Sequence, residues 1–206
     1  MFHKYRRCNK LKTKLQILGV LFASTVSPYS HSAEVIVHKS HNKTRKGEHK
    51  HCNKCVALIK KIEHDLSIPK DLLHSIAYVE SRLRPYAVHA KGKSHYFDNK
   101  SDAVDFVLSM QKRGFKNIDI GCMQVNLMAH GKKFLSIEQA LDPETNILYA
   151  ARLIKAFKKR FGSWEKAVKY YHTANPKYHN DYHERVYKVY GNAQSVLHMN
   201  RSDKAA

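Results

Sequence analysis

Between Cys55 and Tyr190, apolar residues return every three or four positions in short blocks, and most blocks end at a residue that helices do not tolerate. Cys55, Ile59, Ile62 and Leu66 mark one helical face that stops before Pro69. Pro69 suits a first helical position, and Leu72, Leu73, Ile76, Ala77, Val79 and Leu83 supply a broad apolar face before Pro85. Asp142-Pro143 opens another helix, with Ile147, Ala150, Ala151, Ile154, Phe157 and Phe161 on one side and Gly162 closing it. Shorter helices are predicted from Ser101 to Gly114, over the capping-box pair Ser136 and Gln139, from Ser163 to Tyr171, and from Asp181 to Tyr190. Strands are predicted only at Ser94 to Phe97 and at Phe115 to Ile120. This pattern predicts a mainly α single domain over residues 52–190, with at most a small β-hairpin and a polar tail over 191–206.

The segment before that domain has a different character. Lys4, Arg6, Arg7, Lys10, Lys12 and Lys14 precede an apolar run from Leu15 to Val26, and Ser30-His31-Ser32-Ala33 follows. That is the layout of a secretory signal over residues 1–33. The run is short of the ~20 apolar residues that cross a bilayer, so no span is expected to remain after cleavage. Residues 34–51 are polar and basic without apolar periodicity, and a flexible lead-in is expected there. Losing six basic residues and no acidic one takes the formal charge from +20 to +14. A chain this basic attracts polyanions, and export directs that attraction toward the cell wall rather than toward nucleic acid.

Glu80 is the most informative side chain. It follows Leu73 and Ala77 at helical spacing, which puts a carboxylate on or beside an apolar face. Burial and the negative end of the helix dipole both disfavour its ionised form. A carboxyl that keeps its proton near neutral pH can serve as a general acid for glycosidic cleavage. A structural ion pair with Arg82 or Arg84 is the alternative.

Glu80 has company further along the chain. Glu80-Ser81 is followed by Gly121-Cys122-Met123-Gln124-Val125-Asn126, by Asn146 with Tyr149-Ala150-Ala151, and by Ala167-Val168-Lys169-Tyr170-Tyr171-His172. In this order and spacing the chain resembles the soluble lytic transglycosylase domain, the lysozyme-like fold that cleaves bacterial peptidoglycan. The resemblance implies that Glu80 is the single catalytic acid/base, supported by Ser81. It implies that the segment Gly121 to Gln124 lines the glycan groove, with Met123, Gln124 and Asn126 at the substrate. Tyr171 matches the tyrosine of a Tyr-Asn motif whose hydroxyl would orient Glu80. His172 takes the place of the family's Asn, and Thr173-Ala174 replaces the usual Ala-Gly. A long insert, Gly92 to Asp119, separates the first two motifs.

The family's reaction needs neither metal nor cofactor, because the nucleophile is the substrate's own 6-hydroxyl. The implied partners are peptidoglycan glycan strands and, for small members, a secretion, conjugation or flagellar assembly in the cell envelope or periplasm. Asp98 and Asp119 are the other acids that could face the cleft, although turn and strand-end roles account for them better. A carboxylate there could activate water, which would make the protein a muramidase of the lysozyme type. A basic wall-binding module without catalysis is the remaining alternative. After leader removal Cys52, Cys55 and Cys122 remain, and export makes one disulfide the default, either Cys52 to Cys55 or one of them to Cys122. His49, His51, Cys52 and Cys55 have the spacing of half a zinc site, and its second half is missing.

Overall fold

The computed structural model describes residues 54–202, with side chains through residue 194. The leader, the basic lead-in, Cys52 with its pairing, and the histidines at 49 and 51 lie outside the described residues. Helix α1 spans residues 54–65. It buries Cys55, Ile59 and Ile62, the face its periodicity marks. Helix α2 runs from Leu72 to Ser81, so Pro69 sits in the preceding turn rather than in the first turn of the helix. Asp71 holds the N-cap position with φ 69° and makes no side-chain cap.

The missing cap comes from α1. Glu63 is buried, and its carboxylate accepts the backbone N–H groups of Asp71 at 2.9 Å, Leu73 at 2.7 Å and His74 at 3.2 Å. One side chain thereby satisfies three donors that a helix N-terminus leaves open. Burial pushes the Glu63 carboxyl up to about 7, against the pull of those three N–H groups. Glu63→Ala is expected to lower unfolding free energy by ~2–4 kcal/mol, because buried N–H groups lose their acceptor. Urea denaturation checks this, and a loss under ~0.5 kcal/mol would contradict the capping role.

Four short antiparallel strands form one sheet in the order β2-β1-β3-β4. They are β1 (Ala87–Ala90), β2 (Lys93–Tyr96), β3 (Ile118–Ile120) and β4 (Val125–Asn126). The two segments predicted as strands do not pair with each other. Instead β1 lies between them, with Val88 opposite both His95 of β2 and Ile120 of β3. Lys91 and Gly92 join β1 to β2, both at positive φ, as a two-residue turn compatible with strand twist requires.

Helix α3 (Lys100–Lys112) begins two residues earlier than a cap at Ser101 predicts, because Asn99 caps it by accepting the N–H of Asp102. Its Ala103, Val104, Val107 and Met110 pack with Val88, Ile118 and Ile120 in a cluster of their own. The insert from Gly92 to Asp119 therefore supplies β2 and α3, which build the sheet side of the molecule.

Short helices α4 (Leu127–His130) and α5 (Ile137–Ala140) lead into α6 (Pro143–Phe161). Asp142 caps α6 and Gly162 ends it at φ 87°. Helix α7 (Trp164–His172), capped by Ser163, packs on α6. Helix α8 runs from His179 to Ser202, so the segment predicted as a polar tail continues the last helix through residue 202. The main core joins α1, α2, α6, α7 and α8 through Ile59, Leu73, Ile76, Ile147, Ile154, Val168 and Val186. Among the described residues no helix is long and apolar enough to cross a membrane. The C-terminal end of α2, which carries Glu80, thus meets the sheet on one side and α7 and α8 on the other.

Candidate active site

The loop between β3 and β4 is the piece on which the sequence motifs converge. Gly121 has φ 80° and donates its N–H to the Ala87 carbonyl at 2.8 Å. A Cβ at this position would lie 2.4 Å from Asn146 Nδ2, so the loop requires glycine for space as well as for conformation. Asn146, fully buried on α6, accepts the Met123 N–H at 2.9 Å and donates to the carbonyls of Ile120 and Ala140, each at 3.1 Å. Ser81, buried at the end of α2, donates to the Cys122 carbonyl at 2.7 Å and accepts the Arg84 N–H at 3.1 Å. Tyr171 donates to the Met123 carbonyl at 2.6 Å. Helices α2, α6 and α7 each send one polar side chain to the same loop.

This geometry revises several expected roles. Tyr171 bonds the loop rather than Glu80. Ser81 is buried and links α2 to the loop, and the Met123 side chain is wholly inside the core, so neither presents its side chain to a ligand. Asn126 caps α4 through the Ala129 N–H and donates to Asp119 at 2.8 Å, which makes it a support for that acid. Gln124 and His172 do reach the cavity. Gln124 holds φ 49° and donates its side-chain N–H groups to the carbonyls of Gly121 and Ala87 at 2.9 and 3.2 Å. Backbone strain in a loop clamped from three helices is the kind that surrounding structure must sustain.

Glu80 lies on the last turn of α2, half-buried in the wall of a cavity of about 230 Å³. Its Oε1 accepts the hydroxyl of Tyr182, on α8, at 2.6 Å. Arg82 and Arg84, the candidate ion-pair partners, lie over the rings of Tyr78 and Tyr96 at 4.5 and 4.2 Å. Burial pushes the Glu80 carboxyl up to about 7; the Tyr182 bond and the Arg185 charge pull it down, and Asp119 pushes it further up. Burial likewise raises the Tyr182 phenol well above its ordinary range, so that it stays a neutral donor. His172 is lowered, first by burial and then by Arg185, which leaves a neutral imidazole in the cavity wall.

Asp119, Arg185, His89 and Ser94 complete the cavity's polar lining. Helical spacing marks Tyr182 as a packing residue, and its ring is indeed buried, at 1% exposure. What spacing does not convey is that its hydroxyl ends on a carboxylate from a helix 102 positions earlier. Among the described residues no group of three or more His, Cys, Asp or Glu is placed to hold a metal ion. The site thus has one carboxyl poised near neutral pH, a phenol that holds it, a second carboxylate in the same cavity, and a cation nearby. Such a set can give and take one proton beside a bound polar substrate.

The Transglycosylase SLT domain family matches residues 57–190. The chain belongs to this family. The SLT match starts within α1 and ends within α8, so it takes in every element that contributes to the cavity. A mainly α domain with a small sheet against it is the lysozyme-like arrangement that the sequence resemblance implied. The SLT chain is also similar to Protein virB1 of Agrobacterium fabrum (strain C58 / ATCC 33970), 32% identical over 90 residues. That match covers 43% of this chain and 36% of the relative, so the chain spans little more than a third of virB1's length. No solved structure matches the chain significantly.

Proposed function

We propose that this SLT-domain protein is an exported peptidoglycan lytic transglycosylase in which Glu80 is the only acid/base. The observation that carries the proposal is the half-buried Glu80 carboxyl, pushed up to about 7 and held by Tyr182 in the cavity wall. Protonated Glu80 gives its proton to the oxygen of the β-1,4 bond between N-acetylmuramic acid and N-acetylglucosamine, and the bond to the muramyl C1 breaks. The resulting carboxylate takes the proton of the muramyl 6-hydroxyl, whose oxygen bonds to C1 and closes a 1,6-anhydro ring. Proton count closes on Glu80, and no water is consumed. Arg185 and the Tyr182 hydroxyl favour the carboxylate during the interval in which it has given up its proton. Gln124 and His172 face the strand in the cavity, whereas Ser81, Met123 and Asn126 act behind it on the loop and on Asp119.

The basic leader and the charge of +14 that follows its removal suit export toward an anionic wall. A secretion, conjugation or flagellar assembly is the partner class that goes with a small wall-opening enzyme. One observation favours a second reading: Asp119 shares the cavity with Glu80 and could activate a water molecule, giving a muramidase. Digesting purified sacculi and weighing the released muropeptides separates the two, because anhydro products are lighter by one water. If Glu80 is the acid, kcat/KM on sacculi falls about tenfold per pH unit above its midpoint. That limb is expected at about 7. A protein that binds sacculi yet releases nothing at any pH would remove the catalytic reading.

A further inference from the structure

The position at which this chain departs from the SLT pattern touches the group that holds the catalytic carboxyl. His172, the last residue of α7, stacks on the ring of Tyr182 with centroids 4.3 Å apart and planes within 6°. Tyr182 in turn donates to Glu80 at 2.6 Å. The χ2 torsion of a tyrosine is soft and roughly two-fold, so the ring's plane is set by what packs against it. A phenol O–H prefers to lie in the plane of its ring, which means that the ring plane decides where the proton points. The asparagine that the family carries at this position offers no comparable flat face.

We infer that His172 is a positioning residue: its imidazole face fixes the plane of the Tyr182 ring and so aims the Tyr182 hydroxyl at Glu80. This deepens the proposed function and rests on Glu80 being the working acid. Groups facing His172 from neighbouring elements are Arg185 and His179 on α8 and Asp119 on β3. Burial and Arg185 keep the imidazole neutral, so removing it deletes a surface rather than a charge. Two effects of removal then oppose each other in sign. A loosened Tyr182 bond raises the Glu80 midpoint, whereas water entering the space left by the imidazole lowers it.

The test is a titration of the Glu80 carboxyl in the substrate-free protein, followed by NMR on carbon-13-labelled glutamate and assigned by the signal missing in Glu80→Gln. Wild type and His172→Phe, which keeps a flat ring, are expected to titrate together at about 7. His172→Asn and His172→Ala are expected to titrate at least about half a unit higher. In a Tyr182→Phe background, where no hydroxyl remains to be aimed, His172→Ala is expected to add no further rise. A midpoint that falls in His172→Asn, or a rise of equal size in the Tyr182→Phe background, would overturn the assignment. If His172→Ala does not fold, the Asn and Phe variants in both backgrounds give the same comparison. The titration needs no substrate, so the expected pattern in a protein that fails to digest sacculi would retain the positioning role while refuting the enzyme.

Discussion

Glu80→Gln is expected to retain less than about a thousandth of the wild-type rate of glycan cleavage while gaining stability at alkaline pH. The amide has the shape of the acid, and its oxygen can accept the Tyr182 hydroxyl in place of Oε1. It has no proton to give at neutral pH and no basicity to take one back, so both halves of the reaction fail together. The stability gain follows from linkage. Folding raises the Glu80 carboxyl from its ordinary 4.5 to about 7, so across that interval the folded protein binds more protons than the unfolded chain. Wild-type stability from this group therefore falls as pH climbs through the window, and the penalty is complete above it. The shift sets an upper bound of ~3 kcal/mol, and a discount for the carboxyl's partial exposure makes ~1–2 kcal/mol at pH 8 the expected advantage of the variant. Near pH 4.5 the advantage should vanish. Thermal melts of both proteins at the two pH values check it, and an equal melting difference at both would contradict a shifted Glu80.

Asn146→Ala is expected to be the most damaging substitution outside the cavity, costing ~3–5 kcal/mol. It leaves the Met123 N–H and the Ile120 and Ala140 carbonyls inside the core without their partner, in a place water does not reach. Typical domains are stable by only ~5–15 kcal/mol, so the urea midpoint should fall by a large fraction of its value. Activity should fall as well, because the released loop carries Gln124 at its strained φ of 49°. Gly121→Ala is costly for a related reason, since its new Cβ would meet Asn146 Nδ2 at 2.4 Å. The two losses are therefore coupled. Combining Gly121→Ala with Asn146→Ala removes the clash, and the double variant should be destabilised by less than the sum of the singles. Strict additivity would mean that Asn146 does not press on Gly121.

The helices were legible because their burial is periodic. The face from Cys55 to Ile62, and the faces of α2 and α6, bury most of the residues that their spacing marks, with Val79 and Phe157 partly buried against the core. Strand β1 was not legible, since Ala87-Val88-His89-Ala90 has neither the length nor the β-branched content that signals a central strand. Its place in the sheet comes from partners 3 to 32 positions away, with Val88 opposite Ile120 and Ala90 opposite Lys93 and Ile118. At the site, Glu80 stood out because a carboxylate on an apolar face is anomalous. The motif points to Tyr171 as its phenol partner, whereas the hydroxyl within reach belongs to Tyr182. Both rings sit beside the same carboxylate, and only the path of α8 decides which one touches it. Ser81, Met123 and Asn146 were visible as motif residues, but that they serve one clamped loop is a property of three helices meeting, which no local pattern encodes.

The central claim is that the substrate's own hydroxyl, served by Glu80, ends the reaction without water. Digesting purified sacculi with the wild-type protein in water enriched in oxygen-18 and weighing the released muropeptides tests it most directly. The account predicts muramyl ends lighter by one water and free of the heavy oxygen. Muramyl ends at full hydrated mass, each carrying one oxygen-18, would contradict it and assign the second step to a water molecule beside Asp119.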